Sequence, residues 1–390
     1  VNFPASRFEN KINPFFNSAQ AMKYTRMPIE VESPEQLGYS SIECNLAESS
    51  VSDALFGNLG IDLNKLVLCY GDHLGKPELR ELIASEATGI SASDVLLTPG
   101  AAAALFIVSS SLLEKQDHLI VMRPNYATNI ETPRAIGCEI SFLDLEFSKG
   151  FRPDIQKLES LIRPNTKYIS ITCPHNPTGV LLSLAELKEI IRIAEKHKVL
   201  LLVDETYRDL TFENKLPLAA SLSDQVISVS SVSKAYGLPG IRMGWLITRN
   251  KALQELFLAA KEQIFLCNSV VDEEIAFHYL NKSASFLPAI RKHLDLNFSI
   301  LKSWLDAHPV LEWVKPGGGV VCFPRIRDGQ NVDVERFYKI LLSEYATYPG
   351  PGHWFEMDKR FMRIGYGWPS EKELSKGLRN IDSALKQAAC

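Results

Sequence analysis

The sequence predicts an α/β fold, a mostly parallel sheet flanked by helices, with a smaller α+β domain beside it. Three observations carry this expectation. Short, continuous apolar runs recur through the middle of the chain, and helical stretches alternate with them. The runs lack the apolar–polar alternation of a half-solvated strand, so both of their faces are covered. The chain has 390 residues, and a chain of that size buries about 75% of its extended surface. It therefore needs no metal or disulfide to fold, and two domains are expected.

The elements follow in order. Residues 1–45 carry Pro4, Pro14, Pro28 and Pro34 and read as an N-terminal arm with one short helix, part of the smaller domain. Lys76–Ala87 is helical, with Pro77 in its first turn. Asp94–Thr98 is a strand, Pro99-Gly100 turns the chain, and a helix runs from Ala101. His118–Met122 and Tyr168–Thr172 are strands. The amphipathic helix Leu184–His197 precedes strands at Val199–Val203, Val226–Val229 and Trp245–Thr248. A large domain over 46–285 is thus expected. The rest, 286–390, holds a long helix near Phe286–Ala307 and short strands near Val310–Phe323 and Phe361–Gly365.

Composition narrows the function. The formal net charge is −4 and no basic run dominates, which argues against nucleic acid as the main partner. No stretch reaches the roughly 18 apolar residues of a membrane span. Val1–Glu9 has no apolar signal core, so secretion is not expected. Seven cysteines, odd in number and never in a CxxC pair, fit a reducing cytoplasm better than a disulfide framework. No histidine pair has metal-ligand spacing, so no metal is expected.

Five segments carry chemistry. Ser231-Val232-Ser233-Lys234 follows a strand, and a lysine behind small residues is free to form a Schiff base with an aldehyde. Alone, the tetrapeptide also suits a solvated loop. Arg242, within Gly237–Trp245, sits in an apolar setting and calls for a phosphate or a core carboxylate. Asp204 ends the run VLLLV, where parallel sheets bind ligands, with Tyr207 three residues on. Its rival role is a helix cap. Asn176 stands between Pro174 and Pro177 in a fixed turn after a strand. Thr98–Ala103 joins a strand to a helix start and suits either a phosphate or a packed turn. No GK[ST] follows, so it is not a Walker motif.

In order and spacing, these segments resemble the fold type I pyridoxal 5′-phosphate (PLP) enzymes, in their aspartate aminotransferase-like, class I/II branch. The likeness covers about Tyr70 to the end. It implies a PLP-transferase large domain and assigns roles. Lys234 would bind PLP as an internal aldimine. Asp204 would keep the pyridinium nitrogen protonated. Tyr207 and Asn176 would hydrogen-bond the ring's phenolic oxygen. Ser231, Arg242 and the amides of Gly100, Ala101 and Ala102 would hold the phosphate. Tyr126 would stack on the ring, and Tyr70 would reach a neighbouring subunit's phosphate, implying a homodimer with shared sites. Arg363, in Phe361–Gly365, would bind the substrate α-carboxylate, with Asn176 and the Ala47 backbone beside it. Ala47 stands where many relatives carry glycine, so its methyl narrows the pocket.

The implied function is an aminotransferase moving an amino group between an α-amino acid and a 2-oxo acid by a ping-pong path. Lys234, Asp204 and Tyr207 would be its catalytic residues. A PLP-dependent lyase, decarboxylase or cyclase would use the same residues. A regulator fused to a DNA-binding module would need a further helix-turn-helix domain, for which 1–45 is too short and proline-broken. Only Arg363 is placed for carboxylate recognition. Lys23, Tyr24 and Arg26 are further pocket candidates, and Gly317-Gly318-Gly319 is either a close approach to substrate or a flexible loop.

Overall fold

The structure, a computed structural model, describes residues 22–212 and 215–390. Its strands in chain order are β1 Cys44–Leu46, β2 Val95–Thr98, β3 His118–Arg123, β4 Glu139–Asp144, β5 Thr166–Thr172, β6 Leu200–Asp204 and β7 Val226–Ser231. They continue with β8 Gly244–Ile247, β9 Leu311–Glu312, β10 Val321–Cys322, β11 Arg325–Ile326, β12 Thr347–Pro351 and β13 Met362–Gly365. Seven of them form one sheet in the order β2-β8-β7-β6-β5-β3-β4, and only β8 runs against its neighbours. The mostly parallel sheet flanked by helices is therefore present.

Period-two alternation divides this sheet between two cores. On β6, Leu201 and Val203 join the core that holds the helix Leu184–His197, through Leu187, Ile190 and Ile191. Leu202 points to the opposite core, with Ala104, Leu105, Ile107 and Val108 of the helix Gly100–Leu112. A capping box fixes the start of the first helix: the Ser183 hydroxyl accepts from the Glu186 amide, and the Glu186 carboxylate accepts from the Ser183 amide.

Register brings the ligand-facing strand ends level. Thr98 and Ser231 both pair with Gly244, and Thr172 pairs with Asp204. The carboxyl ends of β2, β5, β6 and β7 thus open on one crevice.

A second sheet has the order β1-β12-β13-β10, with β1 parallel to β12 and the other pairs antiparallel. The helix Glu371–Gln387 lies against it through Leu374, Leu378 and Ile381. Pairing of β1 with β12 ties the N-terminal segment to residues some 300 positions later. The first 21 residues of the expected arm lie outside the described residues. Its remainder forms two short helices, Pro28–Val31 and Pro34–Leu37, rather than one. Each is opened by a proline, whose fixed φ suits the first helical position.

Candidate active site

Lys234 follows the end of β7, partly buried, and its side-chain amine makes no hydrogen bond among the described residues. Burial pushes its pKa below the usual lysine range; Glu48, Glu30 and Glu35 counter part of that effect, and Arg363 adds to it. A neutral amine without a partner is the form that attacks an aldehyde.

Asp204 closes β6 and is buried. Its Oδ1 accepts from the Thr206 amide at 3.1 Å and the Thr206 hydroxyl at 2.6 Å. This local turn, not a helix cap, fixes the carboxylate, and it leaves Oδ2 for another donor. Burial raises the Asp204 pKa, and the Thr206 bonds lower it. A cationic ring nitrogen is the kind of partner such a carboxylate needs.

At the β2–helix junction lies a cradle of the kind that suits a phosphate. Gly100 has φ +81° and opens the helix Gly100–Leu112, whose first amides have no intrahelical acceptor. A Cβ on Gly100 would strike the Arg242 guanidinium, and a Cβ on Gly244 would strike the Gly100–Ala101 peptide. The space that glycine leaves is thus bounded by Arg242, by the helix N-terminus with Ala101 and Ala102, and by the end of β7 with Ser231. The Ser231 Oγ accepts from the Ser233 amide at 3.3 Å. Arg242 Nη1 donates to the Pro239 carbonyl at 2.7 Å, leaving Nη2 toward Gly100. Contrary to the sequence expectation of a buried arginine, Arg242 is exposed in the single chain. The Pro239–Ile241 turn lifts it out of the apolar strand that follows.

Arg363, on β13, is only 4% exposed. Its Nη1 donates to Asn176 Oδ1 at 3.2 Å and its Nη2 to the Ala47 carbonyl at 2.6 Å, and its Nε has no partner. No carboxylate pairs with it among the described residues. Trp354 and Phe355 flank the guanidinium at 5.8 and 5.1 Å. Burial lowers its pKa. A buried guanidinium held only by neutral acceptors is poised for an anion from outside. Ala47 contributes through its backbone carbonyl.

Tyr207 is buried, and its hydroxyl donates to the Ser49 carbonyl at 2.9 Å. Burial pushes its pKa up to about 12. Tyr126 is held by Asn125, whose Oδ1 accepts from the Tyr126 amide at 2.7 Å and from the Thr172 hydroxyl at 2.8 Å. Burial raises the Tyr126 pKa, and Glu30 adds to the rise. The triple glycine is not a free loop: Gly317 N donates to the Gly179 carbonyl and Gly319 N to the Leu210 carbonyl, both at 2.8 Å. Gly319 packs beside Tyr207. Lys23, Tyr24 and Arg26 are all exposed. Tyr70 is 81% exposed and stands apart from this group.

Sequence reasoning missed four contributors. Thr206 and Asn125 hold Asp204 and Tyr126, and short polar residues next to both were the available signal. Glu30 and Glu48 act on Lys234 from segments distant in sequence; Glu48 follows Ala47 in the segment the resemblance already singled out, and Glu30 has no such mark.

The aminotransferase class I and II family model matches residues 52–381. The chain is a member of that family. Among solved structures it is similar to a PLP-dependent aminotransferase from Streptococcus suis 89-1591, at 30% identity and TM-score 0.86, covering 95% of this chain and 100% of that one. It is also similar to the PLP-dependent cyclase OrfR, at 26% identity and TM-score 0.84, with 95% and 100% covered. Among curated relatives, capreomycidine synthase from Streptomyces vinaceus is 26% identical over 358 residues, 89% of this chain and 91% of that protein. The fold is the type I PLP-transferase fold, and the cofactor of the family is PLP. Three features here fit that group: the free Asp204 Oδ2, the cradle at Gly100, and the unpartnered Lys234 amine. No helix among the described residues is long and apolar enough to cross a membrane.

Proposed function

We propose that this aminotransferase-family chain moves the amino group of an α-amino acid to a 2-oxo acid. The observation that carries the reading is the buried Arg363, whose Nε lacks a partner, in one pocket with an unpaired Lys234 amine. When bound, PLP withdraws electrons from the substrate's α-carbon. Lys234 would hold the cofactor through its side-chain amine and, once freed by substrate, would serve as the base for the α-proton. The same amine, once protonated, would act as the general acid that completes the transfer. Asp204 would keep the pyridine nitrogen protonated, with the two Thr206 bonds fixing its carboxylate. Arg363 and Asn176 hold the α-carboxylate, with the Ala47 carbonyl fixing the guanidinium from behind. Tyr126 would cover the ring face, and Tyr207 and Asn176 would hydrogen-bond the ring's phenolic oxygen. Gly100, Ala101, Ala102, Ser231 and Arg242 anchor the phosphate. Amino acid and oxo acid use one site in turn, so ping-pong kinetics follow.

The protein acts in the cytoplasm as a homodimer, Tyr70 reaching its neighbour's phosphate site. A second reading, a cyclase or related PLP lyase or decarboxylase, is supported by the likeness to capreomycidine synthase and OrfR. One experiment separates the two. Holoenzyme is mixed with single amino acids and no oxo acid. Transamination gives the amine form of the cofactor and a 2-oxo acid by mass spectrometry. A cyclised, decarboxylated or eliminated product with the cofactor unchanged sinks transamination. Borohydride treatment of the holoenzyme should add a pyridoxyl mass to the Lys234 peptide, and Lys234→Ala should lose both that mass and turnover, the latter by on the order of 10²–10⁴-fold.

A further inference from the structure

An arginine takes a carboxylate as a forked pair only if its guanidinium plane is held in one orientation. In Arg363 the two Nη atoms are anchored on Asn176 and Ala47, and the rings of Phe355 and Trp354 flank the group at 5.1 and 5.8 Å. Trp354 has little freedom of its own. It is 3% exposed, lies in the turn Gly352–Phe355 and sits over Gly350, where a Cβ would come within 3.0 Å of its ring. The Tyr348 ring meets it edge to face at 5.9 Å. A buried indole N–H needs an acceptor. Among the described residues that acceptor is Glu32, whose Oε2 accepts from Trp354 Nε1 at 2.8 Å.

Glu32 comes from the N-terminal segment, 322 positions before Trp354. It closes the helix Pro28–Val31, its amide donating to the Pro28 carbonyl at 2.9 Å. Two further bonds fasten it to β12 and the turn that follows. His353 Nε2 lies 2.7 Å from the same Oε2, and the Tyr348 hydroxyl donates to the Glu32 carbonyl at 2.9 Å. Burial raises the Glu32 pKa, but the His353 and Trp354 bonds outweigh it and the net shift is downward, so the acceptor is an ionised carboxylate at neutral pH. Glu32 itself makes no hydrogen bond to Arg363 or Asn176 among the described residues. Its side-chain bonds fall instead on Trp354, which flanks Arg363, and on the neighbouring His353.

We propose that Glu32 is a positioning residue for substrate: through Trp354 it holds the Arg363 guanidinium in the orientation that receives the α-carboxylate. Cut from Glu32, the indole N–H must turn toward another acceptor, and the ring that turns with it leaves one side of Arg363 unsupported. This deepens the reading of Arg363 as the α-carboxylate site, on which it rests. It does not depend on which bond of the substrate is then broken.

Two amines of one shape separate the carboxylate from the rest of the pocket. 2-Aminoisobutyrate carries a carboxylate where tert-butylamine carries a methyl group. Neither has an α-hydrogen, so titration of the holoenzyme, by absorbance or calorimetry, reads binding rather than transamination. The parent should prefer 2-aminoisobutyrate by at least about tenfold. Glu32→Ala should weaken 2-aminoisobutyrate about tenfold, while tert-butylamine and PLP itself stay within about twofold. Glu32→Gln should restore most of the loss, because its amide oxygen accepts from the same indole N–H. Trp354→Phe keeps a ring and deletes the donor. It should lose about as much as Glu32→Ala, and adding Glu32→Ala to it should cost no more than about twofold further. Trp354→Phe also carries the test if Glu32→Ala does not fold. Unchanged 2-aminoisobutyrate affinity in these variants overturns the proposal, as does a parallel fall for both amines and PLP, which would mark a purely structural tie. Full additivity of the two substitutions overturns it too, since Glu32 would then act otherwise than through Trp354. A parent that shows no preference for 2-aminoisobutyrate overturns the reading of Arg363 itself, and the proposal falls with it.

Discussion

Glu205 shows how one residue sets a pH response in this molecule. It follows Asp204 but belongs to the other face of the sheet, only 4% exposed, and it accepts from the Ala219 amide at 3.2 Å. Arg208 lies 3.9 Å away, too far for a hydrogen bond. Burial therefore dominates and pushes its carboxyl from the usual 4.5 up to about 7, with Arg208 and Ser228 countering. Between those two values the folded state holds a proton that the unfolded chain has released. Stability is then fully present below pH 4.5, falls as pH rises toward about 7, and levels off above it. The contribution of this one group is about 3 kcal/mol. Glu205→Gln keeps the shape and cannot titrate, so its denaturant midpoint should change less than that of the parent between pH 5 and pH 8. Parallel pH curves for the two proteins would assign the titration to another group. Arg363 presents the contrasting case: burial lowers its pKa, Tyr207 and Glu48 counter only part of that, and its Nε has no partner among the described residues, as suits a residue that takes an anionic ligand.

At the scale of elements, the junction of β2 with the helix Gly100–Leu112 concentrates the most constraint. Gly100 combines φ +81° with contact so close that a methyl would displace Arg242, and Gly244 faces it across the strand pair. Gly100→Ala should leave the sheet folded, cost about 1–2 kcal/mol in stability, and raise the cofactor dissociation constant at least about tenfold. Melting curves and PLP titration measure these two effects, and unaltered PLP affinity would remove the cradle from the phosphate site. Elements of this kind were legible beforehand. The continuous runs at β3, β5, β6 and β7 are buried on both faces, and the helix Leu184–His197 carries a capping box and a clear apolar stripe, so each announces itself locally. Strand β4 was missed because its pattern Glu139–Asp144 is half exposed, at the sheet edge. Strands β1 and β12 were missed because each is short and β12 holds two prolines and a glycine; only their pairing with one another gives them an identity. The site divides the same way. Lys234, Asp204, Asn176 and Arg363 stand at strand ends or in strands and carry local motifs. Glu30 and Glu48 reach the pocket only through the folding of the N-terminal segment onto the second sheet, a long-range event that no window of sequence records.

At the scale of the whole molecule, an exposed apolar stretch stands out among the described residues. Leu55, Phe56, Val67, Leu68 and Tyr70 are between 50% and 81% exposed within a stretch of sixteen residues. Scattered apolar side chains on a surface need no account, but a run of this kind exposes more than a monomer usually does. Arg242 is exposed as well, although the phosphate role proposed for it demands shelter from water. Both facts fit the proposed dimer, in which a second copy would cover the apolar stretch and bring its own Tyr70 to the cradle beside Arg242. The dimer proposed above therefore makes a joint prediction. Sedimentation should give twice the chain mass, and Leu68→Asp, which sets a charge within the exposed apolar stretch, should shift the protein to monomer. The same variant should bind PLP more weakly by about tenfold, since one phosphate partner has been removed with the neighbour. Tyr70→Phe should weaken PLP binding while leaving the dimer intact, because it deletes the hydroxyl and keeps the ring. A parent protein that sediments as a monomer, or a monomeric Leu68→Asp that holds PLP as tightly as the parent, would show that each chain completes its own site and that the exposed stretch serves something else.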